Sequence, residues 1–166
     1  MEYITPGPHI TRQLPPTNFQ RTIRDMDVEH AARVRTQLED IGVGYWGLTS
    51  PEAHYLPHVI HRDEQVEAAV YGKSRIGSVL LVATDRRIVY LDRKPLFTNE
   101  EEIAYDMVGG VSHSQSGIGS SITLSTRVKN YHIKTYNSRC ASGFVATIER
   151  RCLEHFSDQR GGRDDY

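Results

Sequence analysis

Residues 79–90, Val-Leu-Leu-Val-Ala-Thr-Asp-Arg-Arg-Ile-Val-Tyr, form the stretch that decides the fold. Two runs rich in aliphatic residues stand on either side of Asp85-Arg86. Runs of this length and composition are typical of buried strands, and a polar dipeptide between them is typical of a tight turn. The stretch therefore predicts an antiparallel β-hairpin, with strands at 78–84 and 87–91.

Further short segments of alternating character lie on both sides of this hairpin. Upstream, residues 66–71 alternate as a first strand and residues 73–77 have the character of a turn. Downstream, aliphatic and aromatic residues recur with strand-like spacing at 103–111, 120–126 and 131–136. No helical pattern interrupts the series, so the sequence predicts about seven consecutive antiparallel strands.

Polar and glycine-containing breaks separate the later strands. Residues 98–101 predict a polar link, and residues 127–130 predict a turn. Gly109-Gly110 predicts a bend or bulge, which a small barrel needs in order to turn its corners. The expected architecture is a bent antiparallel barrel.

One amphipathic helix is predicted at the end of the chain. Its apolar stripe has helical spacing and is followed by a charged, glycine-containing tail at 158–166, which we expect to be disordered. The stripe consists of Ala141, Phe144, Val145, Ile148, Cys152 and Phe156. This helix would close the open end of the barrel, so that residues 63–157 form one domain of mainly β, α+β class.

The first 62 residues exceed what such a barrel needs. Residues 1–20 are punctuated by prolines and predict an extended arm, and residues 21–62 predict a small helical segment. Within that segment, Asp27 is a candidate N-cap of a helix that ends before Gly42. Ser50-Pro51 is the start signal of a second helix, which Pro57 keeps short.

Composition excludes several classes of protein. The 166 residues carry a net charge of −1, which gives no global positive field for nucleic acid. No apolar run is long enough to span a bilayer, and the start of the chain does not look like a secretory signal, so a cytoplasmic location is expected. Cys140 and Cys152 lie too far apart on one helix to form a disulfide.

The decisive stretch resembles the hairpin of bacterial pleckstrin-homology-like domains, the YokE-like and GRAM-like group. That hairpin has a hydrophobic run, Thr-Asp-x-Arg, and a second hydrophobic run, as residues 79–90 do. Ile103-x-Tyr105 with the aliphatic residues after it is similar to a later strand of the family, with Ala104 where the family has proline. Residues 56–67 resemble the lead-in helix and the first strand of such domains.

The resemblance implies a fold whose members bind lipid headgroups, peptides or one another, and it does not imply an enzyme. Thr84, Asp85 and Arg87 have a structural interpretation. The hydroxyl and carboxylate can bond to turn amides, and the guanidinium can pair with the Asp or lie over the barrel wall.

Basic residues in two turns are candidates for anion binding. Lys73 and Arg75 lie between the first two strands, where lipid-binding members of the fold carry a Lys-x-n-Arg-x-Arg signature that this chain has only in part. Arg127 and Lys129 are in another turn and could join them. The alternative is that all four residues are solvated loop positions, since anionic-membrane patches usually cluster more charge.

Other candidate sites have simpler interpretations. His54, His58 and His61 have spacing that suits one helical face and a metal, but Pro57 interrupts that face and no further ligand is evident. Residues 116–121 are glycine- and serine-rich but lack the lysine and helix of a phosphate-binding loop. We therefore expect no catalytic residues, no metal and no cofactor.

The front segment suggests the function. Tyr45 and Trp46 form an aromatic pair between glycines and are natural anchors for contact with a partner. The sequence predicts a non-catalytic interaction module that binds itself, as a homo-oligomer, or another protein. The alternative is a peripheral membrane adaptor that binds anionic lipid headgroups through the first barrel loop.

Overall fold

The computed structural model describes the chain from residue 18 to 161, with side chains from 27 to 160. Three helices come first, followed by seven strands and a long final helix. The helices are α1 (Asn18–Ile41), α2 (Tyr45–Leu48), α3 (Pro51–Val59) and α4 (Ser138–Gly161). The strands are β1 (Val66–Ser74), β2 (Gly77–Thr84), β3 (Arg87–Lys94), β4 (Phe97–Ala104), β5 (Val108–Ser116), β6 (Gly119–Thr126) and β7 (Asn130–Thr135).

Within residues 18–161 the strands form a single antiparallel sheet with the order β4-β3-β2-β1-β7-β6-β5. The predicted hairpin is confirmed, because Leu81 of β2 pairs with Tyr90 of β3. The register of β5 shifts between Val108 and Gly110, which places an irregularity at the predicted glycine bend. The sheet is bent, as expected. It is not a closed barrel, because β4 and β5 lie at opposite ends of the strand order.

The two edges of this open sheet differ in charge. β4 carries Glu100, Glu101 and Glu102, whereas β5 contains no charged residue. Charged side chains on an edge strand oppose pairing with other chains. The predicted polar link at residues 98–101 is therefore wrong, because these residues belong to a charged edge strand.

The seam between β1 and β7 depends on a close approach of two backbones. Lys73 of β1 pairs with Lys134 of β7, and the Thr135 hydroxyl donates to the Tyr71 carbonyl at 2.8 Å. A Cβ atom on Gly72 would overlap the carbonyl oxygen of Lys134. Glycine is needed at this position for lack of space.

We predict that Gly72→Ala lowers the free energy of unfolding by about 1–3 kcal/mol, because the seam must open to admit the methyl group. Urea denaturation followed by circular dichroism measures the change. Gly110→Ala is the matched control, since a Cβ at this strand glycine meets nothing within 4 Å. Equal effects of the two substitutions would contradict the close approach.

The core lies between the bent sheet and the helices α1, α3 and α4. Phe144 and Ile148 of α4 are fully buried, as are Ile122 and Ile133 of the sheet. This confirms that the final helix packs on the sheet through the predicted stripe, except that Phe156, which was expected to continue the stripe, is about half exposed. Cys140 is buried and Cys152 half-buried; both are free thiols, and burial raises the pKa of each.

The front helices pack on the same chain. Val34, Leu38 and Leu56 are buried in one cluster with the strands. The Arg33 guanidinium donates to the carbonyl oxygens of Glu64 and His61, at 3.0 and 3.2 Å. The described part of the front segment therefore completes the core of its own domain.

Two predicted helix boundaries differ from the structure. α1 begins at Asn18, so Asp27 lies inside the helix and not at its N-cap. In the sequence, Phe19, Ile23 and Met26 already have the spacing of a helical stripe, which extends the pattern upstream. α4 runs to Gly161, into the expected tail. Residues 1–17 and 162–166 lie outside the described residues. From 18 to 161, no helix has both the length and the apolarity of a membrane span.

Candidate functional site

The four basic residues predicted to bind an anion do not converge. Lys73 is exposed on β1 and Arg75 is exposed in the β1–β2 turn. Arg127 and Lys129 are exposed before β7, and the Lys129 ammonium lies 2.7 Å from the Glu101 carboxylate. Since Lys73 pairs with Lys134, five residues further along from Lys129, about 16 Å of strand separates Lys73 from Lys129.

Lys134 is the basic residue that the structure places beside Lys73. The two are directly opposite each other across the β1–β7 seam, and both side chains are exposed. Among the described side chains, neither lysine takes part in an ion pair. Like charges opposite each other in a sheet repel, so an anionic group placed between them would be stabilised.

A groove lies next to this lysine pair, between α2 and the seam. It has a volume of about 430 Å³, and we call it the aromatic groove. Its lining includes Trp46, Tyr71, Lys73, Lys134, Tyr136 and Cys140. A second cavity of about 320 Å³ shares both lysines and Tyr136 and extends to the β5–β6 hairpin. The lysine pair is thus common to two adjoining depressions.

Two large aromatic side chains on the lining of the aromatic groove face solvent. Trp46 is 78% exposed and Tyr136 is 85% exposed. Tyr45 is also exposed, and its ring meets that of Trp46 edge-on, with 5.5 Å between centroids. Exposed aromatic residues beside a concave surface mark sites of contact with other molecules.

The short helix α2 is held firmly in place. A Cβ on Gly47 would come within 2.9 Å of the Tyr71 Cβ, so α2 lies directly on the sheet. Gly42 has φ +92° and ends α1, which turns the chain into α2. The Asn137 side-chain amide donates to the Gly42 carbonyl at 3.0 Å, and its oxygen accepts from the Cys140 amide. Asn137 therefore joins the end of α1 to the start of α4, and Trp46 projects from a rigid support.

Sequence reasoning singled out Tyr45 and Trp46 but missed Lys134 and Tyr136. The signal was present at the end of β7, where Lys134 and, one residue past the strand, Tyr136 alternate with the buried Ile133 and Thr135. What the pattern could not reveal is that β7 pairs with β1, which brings Lys134 to Lys73.

The Thr-Asp-x-Arg segment has a structural role. The Thr84 hydroxyl accepts hydrogen bonds from the amides of Arg86 and Arg87, both at 3.1 Å, and donates to Glu64 Oε1 at 2.7 Å. Asp85 accepts from the Gln65 amide at 2.9 Å. Arg87 pairs with Glu64 and Glu102, and not with the Asp as one interpretation had it.

Glu64 is a buried carboxylate at the centre of this network. Burial acts to raise its pKa, but hydrogen bonds from Arg87, the His61 amide and Thr84 outweigh burial and hold the pKa of Glu64 below its ordinary value. A carboxyl whose pKa is lower in the folded state stabilises the fold fully above the unfolded-state pKa. That contribution is lost as the pH falls through the folded-state pKa.

We predict that Glu64→Gln reduces the dependence of the free energy of unfolding on pH in the acid range. The wild-type chain should lose free energy of unfolding more steeply than the variant as the pH falls below about 5. Urea titrations at a series of pH values measure this slope, with the exposed Glu100→Gln as control. A variant with the wild-type slope would contradict the assignment.

The remaining sequence candidates lie elsewhere. His54 Nδ1 is 2.9 Å from the Ser50 carbonyl, and His58 packs beside Tyr55. Within the described part of the chain, no group of three His, Cys, Asp or Glu residues is placed to hold a metal ion. Gly117 and Ile118 form the turn of the β5–β6 hairpin.

A bent seven-stranded antiparallel sheet with a C-terminal helix packed in its concave face defines a protein of the pleckstrin-homology (PH) fold class. The model of the family described as "Bacterial PH domain" matches residues 60–150, more than half of the chain. The chain belongs to the bacterial PH domain family, which confirms the resemblance predicted from residues 79–90. The three front helices α1, α2 and α3 lie outside the matched range.

Several solved structures resemble the chain, among them two that contain a PH domain. One is a DUF1696 family protein with a pleckstrin-homology domain from Shewanella loihica, with 17% identity and a TM-score of 0.44 over 60% of this chain and 92% of that one. The other comprises the linker-DH/PH domains of p115-RhoGEF, with 8% identity and a TM-score of 0.48 over 81% of this chain and 44% of that one. No curated protein gives a significant match. PH domains are in general non-catalytic modules that bind proteins or lipids, and this chain has such a domain.

Proposed function

We propose that the chain is a non-catalytic interaction module whose aromatic groove binds a segment of polypeptide, from a second copy or from another protein. The observation that carries this proposal is the position of Trp46 and Tyr136. Both are exposed, and both line a groove built on a rigid support. Trp and Tyr supply much of the binding energy at protein interfaces, because each buries a large area at a small cost in side-chain entropy.

The chemistry of the groove favours a peptide over an apolar small molecule. Its lining combines aromatic rings with two ammonium groups, and it continues past the lysine pair towards the β5–β6 hairpin. An elongated surface with alternating apolar and charged points suits an extended segment. The front helices pack on their own sheet, so they offer their exposed face to a partner and need not exchange between copies.

The same observations favour protein over lipid. The alternative prediction, a lipid headgroup bound at the first barrel loop, requires Lys73, Arg75, Arg127 and Lys129 to contact one anion together. Lys129 is paired with Glu101 and lies far along the sheet from Lys73. Anionic membranes usually attract four to eight clustered basic residues, roughly twice what the lysine pair and Arg75 offer.

Selection of random dodecapeptides displayed on phage against the full chain tests the proposal. Peptides that bind the wild-type chain should lose binding to the double variant Trp46→Ala, Tyr136→Ala. They should retain binding to Leu96→Ala, which removes an apolar residue that is even more exposed from the distant β3–β4 turn. Peptides that bind all three chains equally would overturn the groove as the site.

Vesicle sedimentation provides the second arm. Phosphatidylcholine vesicles with and without phosphatidylserine should both leave the chain in the supernatant. Salt-sensitive binding to the anionic vesicles alone, abolished by Lys73→Glu with Arg75→Glu, would instead support the membrane adaptor.

A further inference from the structure

The chain contains a segment whose chemistry matches the aromatic groove. Residues 164–166 are Asp-Asp-Tyr, two carboxylates followed by an aromatic ring. We propose that this segment of a second copy occupies the groove, with the carboxylates of Asp164 and Asp165 at the lysine pair and the Tyr166 ring between Trp46 and Tyr136. This inference rests on the proposed function and names the partner.

Charge complementarity selects this segment from the two that lie outside the described residues. Residues 1–17 contain one acidic residue, Glu2, and one basic residue, Arg12. Residues 162–166 contain two adjacent carboxylates directly beside a tyrosine, with Arg163 upstream. Lys73 and Lys134 are opposite each other on neighbouring strands, so two carboxylates in succession can compensate both ammonium groups at once.

The dimensions of α4 require a second copy. The groove lies at the start of this helix, since Asn137 and Cys140 line it. The helix has 24 residues and so carries the chain about 36 Å away. The five residues beyond Gly161 reach at most about 18 Å when fully extended. The segment therefore cannot return to the groove of its own chain.

The final turns of α4 add apolar surface to such a contact. Leu153 and Phe156 are exposed on the part of the helix that leads to the segment. The surface that gives the segment and the groove that receives it are different parts of the molecule. The contact therefore joins two different surfaces. It closes as a two-fold dimer when two copies exchange segments reciprocally, and repeated head-to-tail it builds a ring or an open filament.

A synthetic peptide of residues 159–166, amidated at its C-terminus, provides a direct test. The acceptor is the full chain with Asp164→Asn and Asp165→Asn, which leaves its groove available. Trp46 is the only tryptophan of the chain, so its fluorescence reports on the groove alone. We expect saturable binding with a blue shift of Trp46 emission, weakened about tenfold by Lys73→Glu with Lys134→Glu, as two exposed ion pairs would give.

Charge exchange in the full chain gives a second readout. By light scattering, the wild-type mass should rise with concentration, and the mass of the Lys73→Glu, Lys134→Glu variant should not. Adding Asp164→Lys and Asp165→Lys to that variant should restore assembly. The inference would be overturned if the peptide left Trp46 emission unchanged. It would also be overturned if the mass measured by light scattering were the same in the wild-type chain and in both charge variants. If phage-selected peptides still require Trp46 and Tyr136, only the choice of partner fails, and the proposed function stands.

Discussion

Replacing Glu64 by alanine is expected to lower the free energy of unfolding by about 3–5 kcal/mol. Glu64 is completely buried, and the Arg87 side chain with which it pairs is only 14% exposed. The substitution leaves the guanidinium without its two bonds to the carboxylate, and it also removes the acceptor of the His61 amide. Removing one partner of a buried ion pair costs more than the pair contributes, because the remaining guanidinium stays largely desolvated and keeps only the half-exposed Glu102 carboxylate among the described acidic side chains.

The chain provides a matched control one residue away. Asp63 pairs with Arg86 at 2.5 Å, but its side chain is 73% exposed. Asp63→Ala should leave the urea midpoint almost unchanged, because solvent screens an exposed pair. Urea denaturation followed by circular dichroism compares the two variants. Similar shifts for both would show that the Glu64 network does not hold the lead-in segment to the hairpin.

Phe144→Ala is expected to have an effect of similar size, about 3–5 kcal/mol. Phe144 is the largest fully buried side chain among residues 27–160, and it packs from α4 into the core beneath the sheet. Its removal takes away the apolar contacts of a whole ring and leaves a cavity that the strands cannot collapse to fill.

Phe156→Ala on the same helix is the control for Phe144. Phe156 is 48% exposed, so its removal should cost only a small part of this energy. Thermal and urea unfolding of both variants measure the difference. A Phe156 effect as large as that of Phe144 would mean that the helix packs on the sheet in another register.

Local pattern predicted the strands because each apolar run faces one shared interior. The strands within residues 79–90 pair with each other as a hairpin. The stripe through Phe144 and Ile148 gives the final helix a single apolar face to bury. Such features depend on neighbours in sequence, where periodicity is informative. The edge strand β4 could not be predicted from the sequence pattern, because a run of glutamates is compatible with an edge strand and with a loop.

The candidate site depends on contacts between distant parts of the chain, and this is why only half of it was found. Trp46 stood out as an aromatic residue between glycines. Lys134 became significant only through its pairing with Lys73, more than sixty residues earlier in the sequence. In the sequence, Glu64 is only part of the segment that leads to the first strand. Its ion pair with Arg87 forms because the fold places that segment beside the β2–β3 hairpin.

The unequal edges of the open sheet affect how the protein behaves at high concentration. A strand that approaches β4 meets the charged side chains of three successive glutamates, whereas one that approaches the outer half of β5 meets only serine, histidine and glutamine side chains. Unwanted aggregation would therefore start at β5. A lysine in place of the exposed Ser112, which lines neither of the two depressions at the lysine pair, should improve solubility and leave Trp46 and Tyr136 untouched.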